Sequence, residues 1–282
     1  MLRVSLKHDR HSLGVVSRDT SPPGDADVAA VAALVGEPTR ARVLMALADG
    51  RALAASTLAA EAGVAASTVS GHLARLVDGG LVTVESSGRH RYFRLGGPEV
   101  ADAIEALARI APPRSVRSLN EATHGGAVRR ARTCYDHLAG RLGVALFDAL
   151  VADGVLAAER LDGSGGDPVL GAGRALRLAL TEEGRCRLVA LGVVVAPPPR
   201  RPQLRYCIDW SERHPHLGGW LGAALLQRFV ALGWVVRKPR RVVAITEAGR
   251  QGLADYLGVS LEATPCTHTS RAEADGPESQ GE

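Results

Sequence analysis

The sequence predicts an α+β fold that is mainly α with small β-hairpins, in which an N-terminal unit is followed by two similar repeats. Three observations support this prediction. Apolar residues recur at helical spacing between glycine and proline stops, short alternating runs flank turn residues, and two stretches of the C-terminal half repeat one another. A content of 46% hydrophobic and 23% charged residues is that of a globular protein that can bury a core.

Polar and proline-rich segments divide the 282 residues into five parts. We expect a disordered tail over residues 1–27 and a disordered acidic tail over residues 259–282. Between them, the proline pair 112–113 and the segment `APPPRRP` mark two boundaries. The predicted domains cover residues 28–113, 114–195 and 203–258.

The composition also limits where the protein acts. No apolar run reaches the ~20 residues that span a bilayer, and the first residues lack the apolar core of a signal peptide, so we expect a cytoplasmic protein without a membrane partner. Four cysteines in such a chain indicate thiols and not a disulfide framework. The net charge of +4 permits nucleic acid as a partner but does not establish it.

The N-terminal unit begins with amphipathic helices. The segment `PTRARVLMALADG` has apolar residues at helical spacing. The next segment predicts a short helix ended by Gly63, which suits a left-handed turn because it has no Cβ. A further helix follows, in which Val69, Leu73 and Leu76 share one face. Two helices joined by such a turn form a helix-turn-helix.

The opposite face of this last helix carries small polar groups and one arginine. Such a helix can enter the major groove of DNA, because bulk at its front would hold it off the bases. The following `LVTVESSGRHRYFRL` alternates around a glycine turn and predicts a hairpin whose basic tip can lie along a phosphate backbone. The predicted DNA-binding residues are Ser67, Thr68, Ser70, Gly71, His72, Arg75, Arg89, His90 and Arg91.

The ordered segments `VGEPTRARVLMALADG`, `LAAEAGVAASTVSGHLARLVDGGLV` and `GRHRYFRL` resemble the DNA-binding domain of the ArsR/SmtB family of bacterial transcriptional repressors. The resemblance covers about residues 28–111 and implies a winged helix-turn-helix. It also implies a homodimer formed through the closing helix `PEVADAIEALARIA`, and binding to operator DNA. The family's cysteine pair before the recognition helix has no counterpart in `ASTLAAEAGV`, so an effector would have to bind elsewhere.

The C-terminal half contains an internal duplication. Residues 137–156 and 216–235 are identical at ten of twenty positions, and a Thr-Glu-x-Gly-Arg element follows both. Each copy predicts a helix, a glycine stop, a hairpin and a second helix, so we expect two winged-helix-like repeats packed as an effector or dimerisation module. For the arginine-rich hairpin tip of the second copy, residues 237–241, a solvated turn is expected, with a contact to DNA as the alternative.

Both copies repeat a cysteine, an aspartate and a histidine. Two copies brought together could offer two cysteines and two histidines to zinc or another divalent metal. The cysteines could instead sense oxidants, or they could only pack, with the aspartate before `HLAGRL` as a helix N-cap. The candidate metal ligands are Cys134, Asp136, His137, Cys207, Asp209, His214 and His216.

Together these features predict a sequence-specific transcriptional regulator. We expect a homodimeric repressor that binds double-stranded operator DNA and is released by an unknown small effector acting on the repeats. Two alternatives stay open, a metal- or thiol-redox-responsive sensor and an interaction adaptor that does not bind DNA. An enzyme is not expected, because the sequence has no phosphate-binding glycine loop, no dinucleotide fingerprint and no G-x-S-x-G motif.

Overall fold

The structure, a computed structural model, describes residues 25–88, 90–112, 115, 118–160, 176–198 and 201–260. Most of the two predicted tails lies outside these residues, and so does Arg89. Within the described ranges, no helix is both long and apolar enough to cross a membrane.

The N-terminal domain is a winged helix-turn-helix, as the sequence predicts. Its three-stranded antiparallel sheet has the order β1-β3-β2, and Gly63 ends the third helix in a left-handed conformation with φ of 69°. The elements are α1 (Val28–Val35), α2 (Pro38–Leu47), β1 (Leu53–Ala54), α3 (Ala55–Ala62), α4 (Ala66–Asp78), β2 (Val82–Ser87), β3 (His90–Leu95) and α5 (Pro98–Ile110).

The core of this domain lies between α2, α3, α4 and the sheet. On α4 the buried residues are Val69, Leu73 and Leu76, the face that the helical spacing predicts. Helix α1 differs from the others, because all eight of its residues are alanine, valine or leucine and none is buried. An apolar helix that packs so little within its own chain has a face available for another surface.

The C-terminal half contains the duplicated elements. The first copy comprises α6 (Leu119–Arg130), β4 (Arg132–Cys134), β5 (His137–Ala139), α7 (Gly140–Ala152), β6 (Leu156–Arg160), β7 (Leu176–Leu180) and α8 (Glu182–Ala190). The second comprises β8 (Arg205–Ile208), β9 (Pro215–Gly218), α9 (Gly219–Ala231), β10 (Val235–Arg237), β11 (Val243–Ile245) and α10 (Glu247–Leu257). The predicted order of helix, hairpin and second helix is therefore present in both copies.

In each copy a short hairpin, β4–β5 or β8–β9, precedes the long helix, and the sequence analysis did not predict it. The repeated histidine and the two residues after it form a strand, and the helix begins only at Gly140 in the first copy. The interpretation of Asp136 as a helix N-cap was therefore wrong, since three strand residues separate it from α7.

Glycines terminate these strands and start the helices. Gly140 and Gly219 occupy equivalent positions, and each has a φ of 72°. Because L-residues with a side chain are strained in this left-handed region, the abrupt change from strand to helix requires glycine in both copies.

The two repeats share one core and pack crosswise, with α7 on β9 and α9 on β5. The ranges 114–195 and 203–258 therefore do not have separate hydrophobic cores, and their division into two effector repeats stays a prediction. The central leucines and phenylalanine of this core are Leu142, Leu146 and Leu150 on α7, and Leu221, Leu225 and Phe229 on α9.

A second glycine in each helix allows the crosswise packing. A Cβ on Gly143 would lie 2.5 Å from the carbonyl oxygen of Leu138 and 3.5 Å from Cβ of His216. In the other copy, a Cβ on Gly222 would lie 3.1 Å from Cβ of His137. The repeated Gly-x-x-Gly thus combines a left-handed turn with a close approach between one copy's helix and the other copy's histidine.

Candidate DNA-binding surface and candidate metal centre

The front of α4 is exposed and has little bulk. A Cβ built on Gly71 would meet nothing within 4 Å, and Ser70 donates its hydroxyl proton to the carbonyl oxygen of Ala66 at 3.0 Å. This surface can approach another molecule closely without displacing a side chain of its own. The exposed residues among those predicted to bind DNA on this helix are Ser67, Thr68, Ser70, Gly71 and Arg75.

His72 lies at the edge of this face and is directed toward α2. Its Nδ1 is 3.2 Å from Oε2 of Glu37, in an orientation that does not make a hydrogen bond. Glu37 caps α2 by accepting from the amide of Arg40 at 2.8 Å. Burial opposes the change, but hydrogen bonds from Thr39 and Arg40 lower the pKa of Glu37 to about 2. His72 therefore faces a carboxylate at a helix terminus and not the open front of α4.

The wing presents further basic side chains. His90 and Arg91 are exposed at the start of β3, and the Arg91 guanidinium lies 5.5 Å from the centre of the Phe93 ring. The predicted DNA contact Arg89 lies outside the described residues. The described part of the wing thus carries two exposed side chains that can reach a phosphate backbone.

The repeated cysteines and histidines converge between the two copies. Cys134 and His137 face each other across the β4–β5 hairpin, and Cys207 and His216 face each other across β8–β9. Because β5 and β9 are neighbours, one ligand atom from each of the four residues lies within 4.8 Å of the other three. Cys134, His137 and His216 are 2%, 5% and 0% exposed, while Cys207 is half-buried.

Buried nitrogen atoms of both histidines lack partners. Among the described residues, Nε2 of His137 and both ring nitrogens of His216 have no hydrogen-bond partner. The other nitrogen of His137 lies 3.3 Å from Asp136, and Nδ1 of His216 lies 3.7 Å from Asp209. Metal-binding histidines commonly have a carboxylate hydrogen-bonded behind the ring, which orients the ligand nitrogen, and His137 has this arrangement.

One of the two histidines is charged while the cysteine thiols are protonated. Burial opposes the change, but Cys134 and a hydrogen bond with Asp136 raise the pKa of His137 to about 9. A hydrogen bond with Cys207, together with burial, raises the pKa of the Cys134 thiol well above its usual value. Burial, followed by the positive charge of His137, holds the pKa of His216 well below its usual value. A metal ion bound here would take the place of these protons, because its ligand forms are thiolate and neutral imidazole.

The repeated aspartates hold the hairpins and do not complete the ligand set. Asp136 accepts a hydrogen bond from Arg201. Asp209 is fully buried, accepts from Arg132 at 2.8 Å, and accepts from the amide of Gly140 at 2.6 Å. The second copy's aspartate therefore caps the helix of the first copy.

His214 stands apart from the cluster. Its side chain is half exposed, and its Nε2 lies 3.0 Å from Oδ1 of Asp148 on the surface of α7. Of the seven candidate ligands, the structure thus brings four together, places two aspartates beside the histidines and leaves His214 outside.

Arg241 and Glu105 were missed by the sequence analysis. The hairpin tip expected to be a solvated turn instead buries Arg241, which donates to the carbonyl oxygen of Thr133 at 3.0 Å and 2.7 Å and also to Glu105 on α5. One signal was available, because Glu105 lies on the same helical face as the apolar Ala101 and Ile104.

The strands that carry the cysteines contact the winged helix-turn-helix directly. The amide of Tyr135 donates to the carbonyl oxygen of Ala48, at the end of α2, over 2.7 Å. On the other hairpin, Arg205 pairs with Asp102 of α5 at 2.6 Å. The two hairpins that carry the cluster therefore contact α2 and α5 of the N-terminal domain directly.

Comparisons with known proteins place these features in a family. The helix-turn-helix domain family matches residues 35–85. The chain is 37% identical over 238 residues to the uncharacterized HTH-type transcriptional regulator YdfF of Bacillus subtilis, which covers 83% of this chain and 99% of YdfF. That alignment is too long for the N-terminal domain alone and extends into the repeats.

Solved structures match a smaller part of the chain. The homodimeric winged helix-turn-helix domain of Mb0332 from Mycobacterium bovis, a possible ArsR-family regulator, is 30% identical, with coverage of 29% of this chain and 82% of that one and a TM-score of 0.26. The cadmium sensor CMTR from Mycobacterium tuberculosis is 32% identical, with coverage of 32% and 94% and a TM-score of 0.27.

Proposed function

We propose that this chain, which belongs to the helix-turn-helix transcriptional regulators, is a homodimeric repressor of the ArsR/SmtB type that binds a palindromic operator. The observation that carries the proposal is the front of α4, where small polar side chains and Arg75 are exposed while the opposite face is buried. In this arrangement α4 enters the major groove and the β2–β3 hairpin lies along the backbone.

The exposed apolar surface of helix α1 supports the proposal of a dimer. Its residues are all apolar and none is buried, and on α5 both Leu107 and Ile110 are exposed, Ile110 by 71%. A second copy of the chain that covers these helices would bury them and present two recognition helices. The two half-sites would then lie one helical turn, about 34–36 Å, or a multiple of it apart.

The repeats are the proposed place of the effector. They make up more than half of the described chain and contact α2 and α5 of the DNA-binding domain. A ligand that binds one arrangement of these contacts more tightly than another changes the population of DNA-binding chains by its difference in affinity. The effector then releases the repressor from the operator.

Gel shifts with the DNA upstream of the chain's own gene test this proposal. We expect a retarded band whose dissociation constant rises steeply with salt, because phosphate contacts release counterions. Arg75→Ala should weaken operator binding by about 1–3 kcal/mol and weaken binding to random DNA less, since a base contact carries sequence information. Arg177→Ala, an exposed arginine on β7, is the control. Folded protein that retards no DNA at low salt would contradict the proposal and favour an interaction adaptor.

A further inference from the structure

We propose that Cys134, His137, Cys207 and His216 bind one divalent ion of the zinc class between the repeats, and that this ion regulates operator binding through Arg241 and Glu105. The metal centre stands on its own geometry. The regulatory part rests on the proposed function, and the experiments below separate the two.

The chemistry of the four side chains selects the ion. Two thiolates and two imidazoles without a carboxylate or carbonyl oxygen suit zinc and its thiophilic relatives, and do not suit magnesium or calcium. Four protein ligands fill the tetrahedral coordination of zinc, and three of the four side chains are at most 5% exposed, so no position is left for water or substrate. A site without an open coordination position serves structure or regulation and not catalysis. The ion reaches it from the side of Cys207, the half-buried ligand.

Binding the ion would draw the four ligand atoms closer to one another. Ligand atoms of a tetrahedral zinc site lie about 3.6 Å apart, as follows from bond lengths near 2.0–2.3 Å. Here they lie within 4.8 Å of one another. Within each hairpin, cysteine and histidine are fixed as cross-strand partners. Because each hairpin supplies two of the four ligands, a closure of up to about 1 Å would draw the two hairpins, and so the two repeats, together.

Each cysteine lies next to residues that contact α5 or α2. Thr133, before Cys134, accepts from Arg241, which also binds Glu105. Tyr135, after Cys134, donates to the end of α2. Beyond Cys207, the carbonyl oxygen of Ile208 is 3.5 Å from the guanidinium of Arg109 on α5.

The link from Arg241 to Glu105 is able to change. Oε2 of Glu105 is buried and has no hydrogen-bond partner among the described residues. A movement of the hairpin that carries Thr133 can therefore exchange the carboxylate oxygen that Arg241 binds. Because α5 belongs to the proposed dimer face, such a change alters the relation of the two recognition helices.

Metal stoichiometry of the reduced full-length chain tests the site. Titration with Zn²⁺ against a chromophoric chelator should give one ion per chain, and Co²⁺ should give the absorption of a tetrahedral thiolate complex. Cys207→Ser should remove this high-affinity binding, and so should His216→Gln. Cys186→Ser on the exposed surface of α8, and His214→Ala, should leave it unchanged. Circular dichroism confirms that the variants are folded. No zinc bound by wild type, or unchanged binding in folded Cys207→Ser, overturns the metal centre.

Operator affinity with and without Zn²⁺ tests the regulation. We expect zinc to weaken operator binding by about 5- to 150-fold, the usual range of coupling between two sites. Glu105→Gln keeps a hydrogen-bond acceptor for Arg241 but removes the charge, so this variant should still bind one zinc while its operator affinity no longer responds. An operator affinity that zinc does not change overturns the regulation, and a normal response in Glu105→Gln overturns the route.

The two failures are distinguishable. A chain that binds one zinc but no DNA in either state contradicts the proposed function, and the regulation with it, while the metal centre stands. A chain that binds operator and no zinc, yet loses the operator when an added oxidant joins Cys134 and Cys207 in a disulfide, contradicts the metal centre and indicates a thiol switch.

Discussion

Gly71 stands in the middle of α4, where glycine weakens a helix by roughly 0.5–1 kcal/mol relative to alanine. Its φ is not in the left-handed region, and a Cβ there would meet nothing within the chain. Folding therefore gives no reason for glycine at this position. The proposed close approach of α4 to DNA does give a reason, because a side chain at this position would stand between the helix and the bases.

Replacing Gly71 separates these two roles. We expect Gly71→Leu to keep or raise the thermal stability and to weaken operator binding by roughly tenfold or more, because a displaced base contact costs about 1–3 kcal/mol. Gly126→Leu, at a similarly open position in α6, should leave operator binding unchanged. Thermal melts and gel shifts measure both. Unimpaired operator binding by Gly71→Leu would mean that this face does not enter the groove.

The burial of single residues was predictable from the sequence where apolar residues recur at helical spacing. The faces of α4 follow from helical spacing, and the convergence of Cys134 with Cys207 was open as one alternative because the duplication relates them. Arg241 and Glu105 are separated by 136 residues and belong to different domains. No local pattern relates two such residues, so their ion pair could be found only in three dimensions.

At the scale of elements, the repeated letters `HLA` and `HLG` form strands, and the helix begins only at the glycine after them. A strand of three or four residues carries too little alternation to be recognised in a sequence. What stabilises each of them is its cross-strand partner, and the other copy's helix packs on it. The longer helices and the second hairpins were predictable, because their stop signals are local.

The close-approach glycines of these helices give a prediction for this scale. We expect Gly143→Ala and Gly222→Ala each to destabilise the protein by about 1–3 kcal/mol, since an added methyl group would overpack against strand backbone and the other copy's histidine. In the control Gly126→Ala, the free energy of unfolding should stay equal or rise by up to about 1 kcal/mol. Urea unfolding measures all three. Equal free energies of unfolding for wild type and the three variants would contradict the crosswise packing.

At the scale of the whole molecule, the apolar α1 and the end of α5 determine the predicted assembly. Val31→Glu combined with Ile110→Glu should give a monomer, because charges would have to be buried unpaired in the dimer face. Sedimentation velocity should show this, and operator binding should fall with it. Val189→Glu, an exposed valine on α8, is the matched control. A double variant that remains dimeric would place the interface elsewhere.

The crosswise packing of the repeats has a consequence for the ancestry of the chain. One copy alone carries one cysteine and one histidine, which is half of the set, and exposes the apolar side of α7 or α9 that the other copy covers. An ancestral chain with a single copy would have needed a second molecule to complete the ligand set and to cover the apolar side of its helix. The set now formed within one polypeptide would then have lain on the two-fold axis of a symmetric pair. Joined in one chain, the copies no longer need to be identical. The second copy has six residues inserted after Asp209, and two of them, Trp210 and Ser211, contact Arg132 of the first copy.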